Sequence, residues 1–185
     1  MPPSKSSAHP ENLAGSLLLA HPAMRDPNFR RTVIFMATHS AEGAMGVVLN
    51  RPTRRTLGTV NGSFAYTPLA EVPVFIGGPV QPEQLMLVVW QMRPEGYRLF
   101  FGIDPEKATE LVGVPGTHVR AFCGYSGWSA GQLESEMAQS TWVVGSMGEP
   151  LLAHAPDEGL WRLALGHVGP EWLLLAMEPD EPSLN

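Results

Sequence analysis

The chain has 185 residues, a length typical of one domain that buries a core without a disulfide or a structural metal. Hydrophobic residues make up 44% of it and charged residues 16%, which excludes a disordered chain. The net charge of −6 argues against nonspecific nucleic-acid binding, because clustered Lys and Arg supply most of that affinity.

Strands are predicted through the first two thirds of the chain. The apolar run Ser16–Ala20 predicts a buried strand, and the segment 30–39 predicts the next one. The four residues 40–43 then separate two strand-like runs and predict a hairpin, in which Gly43 takes a positive φ. Further apolar or β-branched runs predict strands over Val72–Ile76, Gln84–Trp90, Tyr97–Gly102 and His118–Cys123.

Three helices are predicted after this block of strands. The segment Asp104–Gly113 has a capping residue, a proline and an acid at its start and a glycine at its end. A second helix should run from near Pro156 to Leu165, with Gly166 as its stop. A third is predicted over 129–139. Strands followed by helices indicate an α+β domain rather than alternating βαβ units.

The two ends of the chain are predicted to lie outside the domain. Polar sequence without periodicity predicts a flexible arm over 1–13 and an acidic tail over 178–185, around a single domain over 14–177. No segment resembles a secretory signal or the roughly 20 apolar residues of a membrane span. The single cysteine, Cys123, cannot form an internal disulfide. These features predict a cytoplasmic protein without a membrane partner.

One motif suggests an enzyme. Gly127, Ser129 and Gly131 spell G-x-S-x-G, the motif of a nucleophilic serine. In esterases that serine lies directly between a strand and a helix, whereas the strand predicted here ends near Cys123. Ser129 and Gln132 also fit a capping box. In this motif the serine hydroxyl accepts from the N–H of the residue three positions later, and the glutamine side chain accepts from the N–H of the serine. Capping is therefore favoured, and a serine hydrolase using Ser129 is an alternative.

The residues that bind metals and cofactors show no suitable spacing. The six histidines include no H-x-x-x-H pair, and one cysteine cannot complete a zinc site. The segment 77–79, Gly-Gly-Pro, follows a predicted strand but lacks the Lys and the Ser or Thr of a phosphate-binding Walker loop. The sequence therefore predicts no metal, no cofactor and no catalytic residue.

Four stretches together resemble the YqgE/AlgH family of bacterial proteins. They are the opening segment Gly15–Pro52, the turn Phe75–Val80, the segment Gly124–Met137 and the tail motif Thr141–Ser146. The resemblance implies a strand-rich, single-domain α+β fold whose sheet curls into a bifurcated, barrel-like arrangement, with about three helices packed outside. It carries over no biochemical activity, although the name of one branch is tied to transcriptional control of exopolysaccharide synthesis.

We expect a noncatalytic regulatory protein that binds a small anion or a peptide or protein segment. Exposed glycine backbone, free N–H groups at a helix start and flat aromatic side chains all favour ligand contact. Two other interpretations remain open: that these stretches only form tight turns, with Trp128 in the core, and that the protein is a transcriptional regulator. The candidate ligand-binding residues are Asn50, Arg51, Gly77, Gly78, Gly124, Tyr125, Gly127, Trp128 and Gln132.

Overall fold

The computed structural model describes residues 12–178, in which six α-helices pack against one sheet of nine strands. The strands are β1 (Ser16–Ala20), β2 (Val33–Ser40), β3 (Gly43–Val48), β4 (Pro52–Thr56), β5 (Pro73–Ile76), β6 (Val80–Arg93), β7 (Gly96–Phe101), β8 (Thr117–Ser129) and β9 (Trp142–Ser146). The helices are α1 (Leu57–Val60), α2 (Pro105–Leu111), α3 (Gln132–Ala138), α4 (Glu149–Ala153), α5 (Glu158–Val168) and α6 (Pro170–Met177). The predicted α+β class is confirmed, but six helices are present instead of three.

The first three strands follow from local sequence. β1 is buried along almost its whole length, because side chains from both of its faces enter the core, so it is apolar without alternation. The predicted hairpin joins β2 and β3, which pair antiparallel up to Ser40 and Gly43. Gly43 takes a φ of 142°, as expected for the glycine of this turn.

The sheet branches at β8. The first part of β8 pairs in parallel with β5 and antiparallel with β6, and its last part pairs antiparallel with β3. The main path of the sheet is β4-β5-β8-β3-β2-β1-β9, with β6 and β7 on the branch. This path does not close into a barrel within residues 12–178. The prediction that the strand ends near Cys123 was wrong, because pairing with β3 continues β8 as far as Ser129.

The helix α5 extends past the glycine that was predicted to stop it. It ends at Val168, where Gly169 and Pro170 begin the next helix. Gly166 lies inside α5, and a Cβ placed on it would meet the Leu173 side chain of α6 at 3.7 Å. That distance is an ordinary van der Waals contact, so the packing of α6 on α5 leaves room for an alanine here, and the glycine costs about 1 kcal/mol relative to alanine in a helix interior.

The core has three parts. One lies between the sheet and helices α4, α5 and α6, and includes Phe35, Trp90 and Trp161. The second lies on the opposite face of β1 to β3, under α3, and includes Trp128 and Trp142. The third lies near α1 and α2. Side chains from both faces of the central strands are thus removed from water.

Most of the predicted arm and tail, residues 1–11 and 179–185, lies outside the described residues. Leu13 is 2% exposed, and its N–H donates to Nδ1 of His39 at 2.9 Å. No helix within residues 12–178 is long and apolar enough to cross a bilayer. The packed part of the fold therefore includes Leu13, beside β2.

Candidate functional site

Gly77 lies where the end of β5 crosses β8. Its N–H donates to the carbonyl oxygen of Cys123 at 2.9 Å. Its carbonyl oxygen accepts from the N–H of Val48 at 2.9 Å and from the buried hydroxyl of Ser126 at 3.1 Å. Both backbone polar groups of Gly77 are engaged within the protein, so this residue shapes the crossing.

Gly78 and Gly124 allow the backbones of the two segments to approach each other closely at the same crossing. Gly124 takes a φ of 72°, and a Cβ on it would lie 2.5 Å from the carbonyl oxygen of Gly78 and 2.9 Å from that of Val80. A Cβ on Gly78 would overlap the backbone of Tyr125. The structure therefore brings Gly77, Gly78, Gly124 and Tyr125 together, and it gives the glycines a packing role.

Asn50 is a buried connector between three segments. Its Oδ1 accepts from the N–H of Val33 at 2.9 Å. Its Nδ2 donates to the carbonyl oxygens of Arg31 at 2.8 Å and Asp157 at 3.3 Å. The side chain thus fixes the loop before β2 and the start of α5 against the residues that follow β3.

A cleft of about 380 Å³ opens beside Asn50, and we call it the arginine cleft. Nη1 of Arg31 pairs with Oε2 of Glu158 at 2.9 Å, and the Arg31 guanidinium lies 5.9 Å from the ring centre of Trp161. Among the residues that the structure describes, three arginine side chains and one carboxylate line the cleft, and Arg30 and Arg31 are both engaged in interactions. The lining residues are Pro27, Arg30, Arg31, Asn50, Arg51 and Glu158.

Arg51 is the cleft residue with donors to spare. Its Nη2 donates to the carbonyl oxygen of Arg30 at 2.9 Å, and this is the one hydrogen bond of its side chain among residues 12–178. A guanidinium group has five N–H donors in a planar fork. The remaining donors of Arg51 are therefore available to the oxygens of a ligand.

A second pocket, of about 270 Å³, adjoins the cleft at Arg51, and we call it the proline pocket. Pro27 and Arg51 line both spaces. Ile76, the last residue of β5, is 51% exposed, and its N–H donates to the carbonyl oxygen of Arg51 at 2.9 Å. The structure thus places Arg51 and Gly78 around one opening, whose other lining residues are Asn28, Val48, Pro79 and Pro82.

The other predicted aromatic and glycine residues line a separate groove of about 450 Å³ between the β2–β3 hairpin and β8. It contains Tyr125, Gly127 and Trp128 and shares no lining residue with the arginine cleft. Trp128 is only 6% exposed, and its indole N–H donates to Oε2 of Glu136 at 2.7 Å. Most of Trp128 therefore belongs to the core beneath α3.

Ser129 ends β8 and does not cap α3, so that part of the capping-box prediction was wrong. The helix begins at Gln132, and its N-cap is Gly131, with a φ of 76°. The side-chain oxygen of Gln132 accepts from the N–H of Ser129 at 3.0 Å and from its hydroxyl at 3.3 Å. The glutamine thus reaches back as predicted, but pairing with Gly43 holds Ser129 in the strand.

His39 on β2 pairs with Ala44 of β3, which in turn pairs with Trp128 of β8, and His39 already has a partner at each ring nitrogen. Nδ1 accepts from the N–H of Leu13, and Nε2 lies 2.6 Å from Oε1 of Glu134. This hydrogen bond lowers the pKa of the Glu134 carboxyl. In the part of the chain that the structure describes, no three His, Cys, Asp or Glu side chains group as metal ligands would.

A buried cation, which sequence reasoning missed, lies elsewhere on β8. Arg120 is 6% exposed, its Nη2 donates to the carbonyl oxygen of Leu152 at 2.9 Å, and its guanidinium lies 5.0 Å from the ring centre of Phe75. Its Nη1 has no partner among the described residues. Burial lowers the pKa of Arg120 to about 10. The hydrogen bond from Arg120 to Leu152 and a hydrogen bond between His118 and Glu149 at 2.9 Å together hold α4 against β8.

The sequence prediction included Asn50 and Arg51 but missed the residues that complete the two spaces around them. Arg30 and Arg31 come from the loop before β2, Glu158 begins α5, and Ile76 ends β5. The one available signal was the three arginines in the segment 25–31. Convergence with Glu158 depends on the tertiary fold.

Comparisons with known proteins agree with this architecture. The AlgH-like family model, DUF179, matches residues 17–173. A UPF0301 protein of Streptomyces coelicolor is 38% identical over 188 aligned positions, which cover 94% of this chain and 96% of that protein. A UPF0301 protein of Coxiella burnetii is 32% identical over 162 positions, covering 85% of this chain and 90% of the relative.

Two solved structures are similar to this fold. The crystal structure of protein DIP2367 from Corynebacterium diphtheriae has a TM-score of 0.71 at 24% identity, covering 92% of this chain and 94% of that one. The solution structure of AlgH from Pseudomonas aeruginosa has a TM-score of 0.65 at 25% identity, covering 95% and 99%. With the family model matched over most of the domain, the chain belongs to the AlgH-like family.

Proposed function

We propose that this protein is a noncatalytic, regulatory binding protein that takes a small anion or an anionic peptide segment in the arginine cleft. The observation that carries the proposal is the set of open guanidinium donors that Arg51 presents in a cleft of about 380 Å³, which Arg30 and Arg31 also line. Guanidinium groups recognise carboxylate and phosphate oxygens through paired N–H bonds, and they keep their charge at any physiological pH.

The groups of the cleft have different roles in this proposal. Arg31 is already paired with Glu158 at 2.9 Å, so it contributes a positive field more than free donors. Arg51 uses one donor on a backbone carbonyl and offers the others to the ligand. Asn50 holds the surrounding segments in place, which limits the conformational entropy lost on binding.

A titration of the full chain with inorganic phosphate, followed by amide NMR shifts, tests the proposal. Arg51→Gln removes the positive charge and the guanidinium fork and should weaken binding about tenfold or more, the value of one charged hydrogen bond. Arg93→Gln removes one charge outside the cleft and is the matched control. Added sodium chloride should weaken binding, because the site is partly exposed.

Saturable binding that perturbs the amides around the cleft supports the proposal. The proposal fails if phosphate causes no saturable shift, or if Arg51→Gln and Arg93→Gln bind it as tightly as the unaltered chain does. A shift pattern centred on the separate groove around Trp128 would place the anion elsewhere and would also refute the proposal.

A further inference from the structure

The proline pocket has an apolar surface that a small inorganic anion would not contact favourably. Ile76 is 51% exposed there, one of few large apolar side chains in residues 12–178 that remain on the surface. The neighbouring lining is also mostly aliphatic, with Val48 and three prolines, Pro27, Pro79 and Pro82. Apolar atoms grouped in a concave site favour an apolar ligand group.

The apolar and cationic spaces are held in a fixed relation. The N–H of Ile76 donates to the carbonyl oxygen of Arg51 at 2.9 Å, so the residues that mark the two spaces are joined through their backbones. Ile76 also pairs with Cys123 in the ladder between β5 and β8. A site built on rigid sheet backbone loses little entropy when a ligand occupies both spaces.

We infer that the ligand of the arginine cleft is an extended peptide segment carrying an acidic side chain and an aliphatic side chain two residues apart. This inference rests on the function proposed for the cleft. In an extended chain the side chains at i and i+2 project from the same face, about 7 Å apart. The acidic group pairs with Arg51 while the aliphatic group covers Ile76, and charge complementarity selects an acidic partner.

Three blocked pentapeptides test the inference against the full chain. The first is acetyl-Gly-Glu-Gly-Leu-Gly-amide, and the other two replace its Glu by Gln or its Leu by Ser. The Glu-Leu peptide should bind about tenfold more tightly than the Glu-Ser peptide, since a buried leucine is worth at least that factor. It should also bind at least tenfold more tightly than the Gln-Leu peptide.

Two surface variants separate the apolar contribution. Ile76→Ser should remove the advantage of the Glu-Leu peptide and leave the affinity for inorganic phosphate unchanged. Val114→Ser alters a side chain that is 38% exposed outside the pocket and should change neither affinity. Amide NMR spectra of both variants check that the fold is retained.

The outcomes distinguish this inference from the proposed function. If phosphate binds but the Glu-Leu and Glu-Ser peptides bind equally well, the peptide inference fails while the anion site stands. If neither phosphate nor peptide binds, both fail. If sedimentation shows that the free chain is a dimer and that Ile76→Ser dissociates it, a second copy covers the pocket and the peptide inference is overturned.

Discussion

Replacing Gly124 by alanine tests the crossing that brings the predicted glycines together. Gly124 has a φ of 72°, in the left-handed region that costs other residues about 1 to 2 kcal/mol. Its new Cβ would also lie 2.5 Å from the carbonyl oxygen of Gly78, a backbone atom that cannot rotate away. Overpacking of this kind costs about 1 to 3 kcal/mol. We therefore expect Gly124→Ala to lower the free energy of unfolding by about 2 to 5 kcal/mol.

Alanine variants of three other glycines separate the cost of backbone strain from the cost of overpacking. Gly113 has a φ of 81° and an unobstructed Cβ position, so Gly113→Ala should cost about 1 kcal/mol from backbone strain alone. Gly77 lacks a positive φ but would collide with the carbonyl oxygen of Gly124, so Gly77→Ala should cost about 1 to 3 kcal/mol. Gly62 has neither problem, and Gly62→Ala should change stability by less than about 0.5 kcal/mol.

Urea denaturation followed by tryptophan fluorescence measures all four variants, since the chain has five tryptophans. Each kcal/mol should also lower the melting temperature by about 2 to 4 °C in a domain of this size. Equal losses for Gly124→Ala and Gly113→Ala would show that backbone strain is the whole effect. In that case the two segments would not cross at contact distance, and our account of these glycines would be wrong.

Three further predictions concern α3 and its surroundings. Glu136→Leu should lower the free energy of unfolding by about 2 to 3 kcal/mol in urea, because one carboxylate oxygen accepts from two largely buried indole N–H groups at 2.7 and 3.0 Å. The pKa of Glu134 is lowered from 4.5 by the His39 hydrogen bond, so its contribution to stability is present above pH 4.5 and is lost as pH falls through the lowered pKa. Denaturation at a series of pH values should therefore show Glu134→Gln and the unaltered chain converging in acid. Ser129→Ala should leave p-nitrophenyl acetate hydrolysis at the uncatalysed rate that we expect of both proteins.

The first two of these predictions have a matched control variant, and the third has an outcome that would contradict it. Glu110→Leu, on the exposed side of α2, is the control for Glu136, and equal losses would mean that the indole bonds add nothing. Glu106→Gln is the control for Glu134, and an identical pH profile would contradict the coupling to His39. Ester turnover by the unaltered chain that disappears in Ser129→Ala would instead revive the hydrolase alternative.

Much of the strand block could be predicted from sequence because its signals are local. β1, β2 and β3 are apolar runs, and Gly43 supplies the positive φ that the connecting turn needs. The helix α2 has its proline at the start and Gly113 just beyond its end. Where capping residues, turn residues and apolar runs agree, the fold follows them.

The segment after Cys123 was misinterpreted because its glycines favour a turn. Its burial alternates instead, with Ser126 and Trp128 buried and Gly127 and Ser129 on the other side. That period of two is the pattern of a strand, but it becomes convincing only when β3 is available as a pairing partner. Non-local pairing decided the conformation against the local glycine signal.

The arginine cleft could not be predicted because its charge is assembled across the whole chain. Arg31 and Glu158 are 127 positions apart, and their pairing depends on where α5 packs against the sheet. Asn50 fixes that packing by donating hydrogen bonds to the carbonyl oxygens of Arg31 and Asp157. From the sequence alone, Asn50 was expected to contact a ligand. A net charge of −6 determines the electrostatic field of the protein at long range. The chemistry of a site depends on the groups within a few ångströms, and in the arginine cleft the open donors are those of Arg51.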